Sequence, residues 1–265
     1  MSLQRWKLTI EYQGTDYSGW QCQIEGIPSV QQSIEKAITD FCQQNCRLHV
    51  AGRTDAGVHA SGQVAHFDLD YGEREITGFQ LSKALNAHLR FQKISILNAQ
   101  PVSQDFHARY HASHKLYTYR LLNRFAPPTY DHSLVWHVRN DLDLDAMKAG
   151  AQRLLGHHDF STFRAIKCQA KSPMRTLDRL DIDIVPLSCG GREIRFLTEA
   201  RSYLHHQVRN MVGTLVLVGQ GKWTPDDVSC ALKACDRTQG GPTAPPDGLY
   251  LSQVFYADQI TKEIL

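Results

Sequence analysis

The side chains best suited to chemistry lie in a glycine-rich stretch, 51–67, of a chain of 265 residues. Arg53, Thr54 and Asp55 follow one short alternating run and precede another, and runs of this kind are typical of strands. A guanidinium two residues from a carboxylate, in a loop at strand ends, is suited to catalysis on a substrate held by a rigid scaffold. A plain turn is the alternative, because Asp close to Gly is common in turns. The pattern alone leaves both interpretations open.

The composition indicates a globular protein that works inside the cell. No apolar run is long enough to span a bilayer, and the first ten residues lack the apolar core of a signal peptide. The seven cysteines form no C-x-x-C pair, which favours reduced thiols in a cytoplasm. The thirteen histidines form no H-E-x-x-H or H-x-E pattern. We therefore expect a cytoplasmic protein that uses no metal.

The distribution of charge is more informative than the net charge of +2. Basic residues are concentrated in 106–124 and 164–179, whereas acidic residues gather elsewhere in the chain. Local basic surface on a near-neutral protein is compatible with RNA binding, and a solvated face is the equal alternative. On the basis of charge and position alone, five residues are candidates for phosphate contacts. They are Arg74, Arg164, Lys167, Lys171 and Arg175.

The order of predicted elements indicates an α+β fold built from two similar halves. In the first half, alternating apolar runs and helix-capping residues predict the order β-α-β-β-α-β, with helices that begin after Ser29 and Thr77. The second half repeats this plan more loosely and contains an apolar helix over 204–218. We expect two ferredoxin/RRM-like lobes, 1–104 and 105–265, that share a mixed, mainly antiparallel sheet.

Several segments resemble, in the same order along the chain, the motifs of one enzyme family. The segment Gly52–Ala60 resembles the active-site motif of the TruA-type tRNA pseudouridine synthases, and the full set of matching segments covers nearly the whole chain. The other segments are Glu11–Gln21, Asp105–Tyr110, Tyr117–Arg120, His205–Gly213 and Gly248–Leu251.

The resemblance implies an activity, a substrate and an assembly. A TruA-type enzyme isomerises uridine to pseudouridine in the anticodon stem-loop of tRNA, at positions 38, 39 and 40. It acts as a homodimer, with the active cleft between its two lobes and without any cofactor. The target base is stacked in the RNA, so it must be flipped out before a side chain can reach it.

The resemblance also assigns roles to residues of this chain. Asp55 corresponds to the nucleophile, and attack on the sugar, attack on the base and a glycal route all stay open. Arg209 lies on the apolar helix, where a charge is costly unless it is paired, so we expect it to be the counter-charge of Asp55. Tyr117 corresponds to the active-site tyrosine, with core packing as the alternative and Tyr119 as its ambiguous neighbour. The resemblance further implies that Arg53 and Arg109 contact the RNA, while Arg74 and Lys171 are expected to do so from charge and position only. Leu249 is expected in the pocket wall, with core packing as the alternative.

Two other functions remain to be weighed. A catalytically inactive RNA-binding module with RRM-like lobes would carry an RNP1 motif, and the sequence has none. A carboxylate-dependent glycoside hydrolase would need a second catalytic acid, and no Asp or Glu accompanies Asp55 in such a motif. The isomerase is therefore the favoured function.

Overall fold

The computed structural model describes residues 3–22, 26–72, 75–188 and 190–257. Backbone contacts divide the chain into two compact units. Unit 1 comprises the described residues of Met1–Ser113 and Leu251–Leu265, and unit 2 is His114–Tyr250. The lobes expected over 1–104 and 105–265 stay a prediction. Among the described residues, no helix has the length and apolar character needed to cross a membrane.

Strands and helices are interspersed along the chain, as the sequence predicts. Up to Ser113 they are β1 (Leu3–Tyr12), α1 (Val30–Cys42), β2 (His49–Val50), β3 (His59–Asp70), α2 (Gly78–His88), β4 (Ile94–Val102) and the start of β5 (Ala112–Asn123). Beyond β5 they are β6 (Trp136–Val138), α3 (Leu144–Gln152), β7 (Gly156–Asp159), β8 (Met174–Leu177), β9 (Arg179–Pro186), β10 (Arg192–Ala200), α4 (Gln207–Gly219), α5 (Pro225–Ala234) and β11 (Leu249–Tyr256).

The sheet of unit 1 has the strand order β4-β1-β3-β11. Outside this order, the short strand β2 also pairs with β3, over two residues. The pairs β1–β3, β1–β4 and β2–β3 are antiparallel. Side chains alternate along β1, so that Trp6, Leu8, Ile10 and Tyr12 are all buried. This alternation carries the hydroxyl of Tyr12 into the core at the end of the strand.

The helices of unit 1 begin where the sequence predicts. The hydroxyl of Ser29 accepts the backbone N–H of Gln32 at 3.3 Å and so caps α1. Thr77 and Gln80 form the reciprocal capping box at the start of α2. Each cap satisfies backbone donors that the first helical turn leaves without a partner, so both predictions are confirmed.

Unit 2 combines an antiparallel sheet with three helices that pack against one another. Its strands run in the order β5-β10-β9, and β6 pairs in parallel with β5. The strands β7 and β8 form a separate antiparallel pair. The helices α3, α4 and α5 contact one another, and α3 also contacts β9. The predicted α+β class, with mainly antiparallel pairing, is confirmed.

Several element boundaries differ from the prediction, as three examples show. The helix expected from Leu204 begins at Gln207, because His206 has a φ of 63°, which a right-handed helix does not accommodate. The strict alternation over 177–185 predicts one strand, but the structure interrupts it at Asp178, whose N–H donates to the carbonyl of Glu199. The sequence predicts a helix over 144–155, but α3 ends at Gln152, since the chain turns there into β7.

A glycine in α4 lets a neighbouring loop lie directly on the helix. A Cβ atom at Gly213 would overlap the carbonyl oxygen of Pro242. The same loop is tied to α4 by the N–H of Gly241, which donates to Thr214 Oγ1 at 3.0 Å, and by the N–H of Ala244, which donates to the carbonyl of Arg209 at 3.1 Å.

We predict that Gly213→Ala destabilises the protein by about 1–3 kcal/mol, since backbone and not a flexible side chain must move. The midpoint of urea unfolding measures this loss. Cys230→Ala is the matched control, because Cys230 is exposed on α5 and its substitution leaves packing unchanged. Equal midpoints for Gly213→Ala and the parent protein would contradict the close approach.

Candidate functional site

The loop that joins β2 to β3 carries the three residues that the sequence analysis selected. Thr54 is buried, Asp55 is half-buried and Arg53 is exposed. The loop therefore places the carboxylate of Asp55 at the border between protein and solvent. It presents the guanidinium of Arg53 directly to solvent.

A buried network of side chains holds this loop from below. The hydroxyl of Tyr12 lies 2.8 Å from Thr54 Oγ1. Gln63 Nε2 donates to the Tyr12 hydroxyl at 3.4 Å and to the carbonyl of Gly52 at 2.8 Å. The amide of Gln63 uses one hydrogen for each acceptor, and the hydroxyls of Tyr12 and Thr54 share a further hydrogen bond in which either can donate. The network fixes the residues on both sides of Arg53.

Burial keeps the Tyr12 hydroxyl protonated over the working pH range. The side chain is 3% exposed, and desolvation raises the pKa of Tyr12 to about 12. The hydrogen bonds with Thr54 and Gln63 lower the pKa of Tyr12 and are the weaker effect. The hydroxyl thus serves as a permanent donor and acceptor.

The backbone of the loop is also bonded to the segment that follows β1. The N–H of Trp20 donates to the carbonyl of Thr54 at 3.1 Å, and the N–H of Gly57 donates to the carbonyl of Tyr17 at 3.2 Å. Gly19 has a φ of 93°, and a Cβ atom there would lie 2.7 Å from the carbonyl oxygen of Thr54. Glycine is required at this position by both the backbone angle and the close approach.

Sequence analysis did not identify the residues that position Asp55. Tyr12 and Trp20 lie in the segment Glu11–Gln21, which entered only as part of the family resemblance, and Gln63 received no role. The signal available was the presence of this segment together with Gly52–Ala60. The structure shows why these two segments matter together, since they pack on one another through backbone hydrogen bonds.

The two tyrosines of β5 in unit 2 have different surroundings. The ring of Tyr117 meets that of Tyr203 edge to face, with centroids 5.1 Å apart, and retains 8% exposure. Tyr119 is fully buried, meets the edge of Phe196 and donates its hydroxyl to the carbonyl of Pro245 at 2.8 Å. These contacts identify Tyr119 as a core residue, while the role of Tyr117 stays a prediction.

Arg209 and Leu249 both lie in unit 2. Arg209 is half-buried on α4, and its Nε donates to the carbonyl of Ala244 at 2.7 Å. Leu249 is the first residue of β11 and is 5% exposed. The hydrogen bond from Nε orients the Arg209 guanidinium relative to the loop that precedes β11.

The candidates for RNA contact are distributed over several loops. Arg109 and Lys171 are both exposed. Arg74 lies outside the described residues. Arg175, on β8, is half-buried, and its Nη1 donates to the carbonyl of Ser172 at 3.0 Å, so this side chain binds the segment that leads into its strand.

We predict that Tyr12→Phe lowers the free energy of unfolding by about 1–3 kcal/mol, because a buried amide donor and the Thr54 hydroxyl lose a partner. Thermal unfolding measures the change. Tyr130→Phe serves as the control, since Tyr130 is 99% exposed. A Tyr12→Phe protein as stable as the Tyr130→Phe protein would show that the network does not hold the loop.

Comparison with known proteins identifies the family. The family model for tRNA pseudouridine synthase matches residues 8–111 and 151–257. The chain is 54% identical to tRNA pseudouridine synthase A of Paramagnetospirillum magneticum over 255 residues, which are 96% of each chain. It is 52% identical to that of Caulobacter vibrioides, over 97% of this chain and all of the relative. A solved Cbf5-Nop10-Gar1 complex matches at 11% identity and a TM-score of 0.32, over 94% of this chain and 59% of that one, too weak a likeness to carry any conclusion. The chain belongs to the tRNA pseudouridine synthase family.

Proposed function

We propose that this isomerase converts uridine to pseudouridine in the anticodon stem-loop of tRNA, at positions 38 to 40, with Asp55 as the nucleophile. The observation that carries the proposal is the geometry of the Asp55 loop in a chain of this family. A half-buried carboxylate stands on a loop whose neighbours are fixed by Tyr12, Gln63 and Trp20. A rigid mount of this kind supports a reaction that needs one carboxylate in a set position.

The reaction rearranges one nucleotide without a net change in atoms. The bond between C1′ of the ribose and N1 of uracil breaks, and a bond between C1′ and C5 forms. The hydrogen on C5 leaves as a proton, and N1 gains a proton in the product. This balance requires no oxidant and no energy source, so side chains can supply all of the chemistry.

The remaining roles are part of the same proposal. Tyr117 stacks on the uracil and relays the C5 proton, Arg209 supplies the counter-charge for the carboxylate, and Leu249 forms part of the pocket wall. Flipping of the target base opens a space in the RNA that Arg53 fills, and its exposure on the loop supports this role. Arg109, Arg74 and Lys171 contact phosphates.

The proposed working form is a cytoplasmic homodimer that needs no cofactor and binds one class of partner, tRNA. The exposed cations Arg53, Arg109 and Lys171 support binding to a polyanion. A catalytically inactive RNA-binding module is the alternative function, and measurement of product separates the two directly.

We predict that Asp55→Asn reduces pseudouridine formation on the order of a thousandfold or more, since the amide is a poor nucleophile. The product is measured by mass spectrometry of nucleosides from treated tRNA. The apparent dissociation constant for tRNA should stay within about twofold of the parent value, because the substitution keeps the size of the side chain.

Asp141→Asn is the matched control, since Asp141 is an exposed acid ahead of α3. Near-parent activity of Asp55→Asn would refute the assignment of the nucleophile. Absence of pseudouridine with the parent protein, alongside tight tRNA binding, would favour the inactive RNA-binding module.

We predict that Arg109→Ala weakens tRNA binding by about tenfold at low salt, the scale of one charge-assisted hydrogen bond. The slope of log affinity against log salt should fall by about 1, because one phosphate contact is lost. A filter-binding titration at several salt concentrations measures both values. The control is Arg153→Ala, whose guanidinium is paired with Asp226 at 3.0 Å. Unchanged affinity and slope would argue against contact with a phosphate.

A further inference from the structure

The segment Asp105–His111 of unit 1, which carries Arg109, is held by an uncommon set of hydrogen-bond acceptors. Four consecutive backbone N–H groups, those of residues 107 to 110, donate to Nδ1 atoms of histidine rings. The N–H of His107 donates to His111 at 3.3 Å, that of Ala108 to His66 at 3.2 Å, and those of Arg109 and Tyr110 to His107 at 3.2 and 3.4 Å.

These histidines form an imidazole cluster. His107 and His111 belong to the segment itself, and His66 belongs to β3. The ring centroids of His66 and His107 are 4.7 Å apart, and the ring of His107 lies 4.2 Å from that of Tyr110. His66 is 2% exposed and extends from β3, so one acceptor is built into the sheet. The cluster therefore joins the loop to the rigid part of unit 1.

Other side chains of unit 1 bind the carbonyl groups of the same segment. The hydroxyl of Tyr256 donates to the carbonyl of Ala108 at 2.8 Å. Arg5 Nη1 donates to the carbonyl of Phe106 at 3.0 Å, while its Nε is 2.7 Å from Asp68. Donors and acceptors of the segment are thus satisfied from both sides, which leaves the exposed side chain of Arg109 with a fixed base.

The geometry requires one particular tautomer. A neutral imidazole has one acceptor nitrogen and one N–H donor. Because each Nδ1 of the cluster accepts a backbone N–H, the ring hydrogen must be on Nε2. A protonated ring would direct an N–H at another N–H, and an apolar side chain would leave backbone donors without an acceptor.

We propose that His66, His107 and His111 are positioning residues that fix Arg109 for RNA binding, through neutral rings that accept the backbone N–H groups of residues 107–110. The inference rests on the proposed role of Arg109 as a phosphate contact. It adds the residues that set the direction of this contact and the tautomer that they must adopt.

The charges around the cluster favour neutral rings. His66 faces His49, His107 and Arg5, and also Asp68, which is paired with Arg5. Burial is the main cause that lowers the pKa of His66 to about 4, and electrostatic interactions with His107, His49 and Arg5 add to it, whereas Asp68 acts in the opposite direction. Burial also lowers the pKa of His107, which faces His49, Arg5, His111 and Arg109. Lys7 lies nearby over the ring of Tyr256 at 4.8 Å.

The sign of the pH dependence follows from these lowered values. In the unfolded chain a histidine takes up a proton below about pH 6.5, whereas in the folded chain His66 takes it up only at lower pH. The contribution of His66 to stability is therefore complete above about pH 6.5 and is lost as pH falls to about 4. Around neutral pH the cluster acts as a fixed set of acceptors.

The first test examines the tautomers in the full-length parent protein without RNA. Long-range ¹H–¹⁵N NMR of protein with ¹⁵N-labelled histidine, assigned with single His→Asn variants, reports which ring nitrogen carries hydrogen. At pH 7.5 we expect an unprotonated Nδ1 and a protonated Nε2 in His66, His107 and His111. A hydrogen on Nδ1 of any of the three would overturn the proposal, whatever the function of the protein.

The second test compares two substitutions of His107. In asparagine the side-chain oxygen can accept near the position of Nδ1, whereas leucine offers no acceptor. We expect His107→Leu to raise the apparent dissociation constant for tRNA by about tenfold, like Arg109→Ala, and His107→Asn to keep it within about twofold. The single-turnover rate at saturating tRNA should not change in either variant. Equal loss in both variants would overturn the role of the acceptor.

A double variant separates positioning from general damage. If His107 acts through Arg109, then His107→Leu has no further effect on affinity in an Arg109→Ala background. A further tenfold loss in that background would overturn the proposal. If Arg109→Ala alone leaves affinity unchanged while the tautomers are as expected, the failure lies in the proposed phosphate contact, and the RNA-positioning role falls with it.

Discussion

The buried hydrogen bonds of Tyr12, Thr54 and Gln63 are the interaction on which the account of this protein depends. They join the end of β1, the loop after β2 and the body of β3, and they are shielded from water. Buried polar groups are costly unless each finds a partner, so the three side chains specify one another's positions. Asp55 follows Thr54 directly, so this network also restricts the position of the Asp55 carboxylate. Arg109 is supported in a similar way, because backbone N–H groups of its segment donate to imidazole nitrogens.

Most of the fold of unit 1 could be predicted because its signals are local. Hydrophobic alternation marks β1 and β3, and the capping residues Ser29 and Thr77 mark the starts of α1 and α2. The candidate nucleophile was also found from the sequence, since Gly52–Ala60 combines charged residues with glycines and resembles a known motif.

The supports of the site could not be predicted, for physical reasons. Tyr12 and Gln63 are 51 positions apart and meet only through the register of β1 and β3, where Ile10 is opposite Gln63. Hydrogen bonds across such distances leave no periodic pattern. The late start of α4 depends on the left-handed backbone angle of His206. Glycine is the usual sequence signal of such an angle, and a histidine gives none. For Tyr119, alternation alone could not separate core packing from a role in the site.

The most direct test of the account is the rate of tritium release from C5-labelled uridine in tRNA under single-turnover conditions at saturating protein. Gln63→Leu is the informative variant, because it removes the donor to Tyr12 and Gly52 without altering Asp55. We expect a rate at least about tenfold below that of the parent protein, with tRNA affinity unchanged, since misplacement of a reacting group slows the chemical step. A parent-like rate from a folded Gln63→Leu protein would contradict the claim that this network positions the catalytic carboxylate.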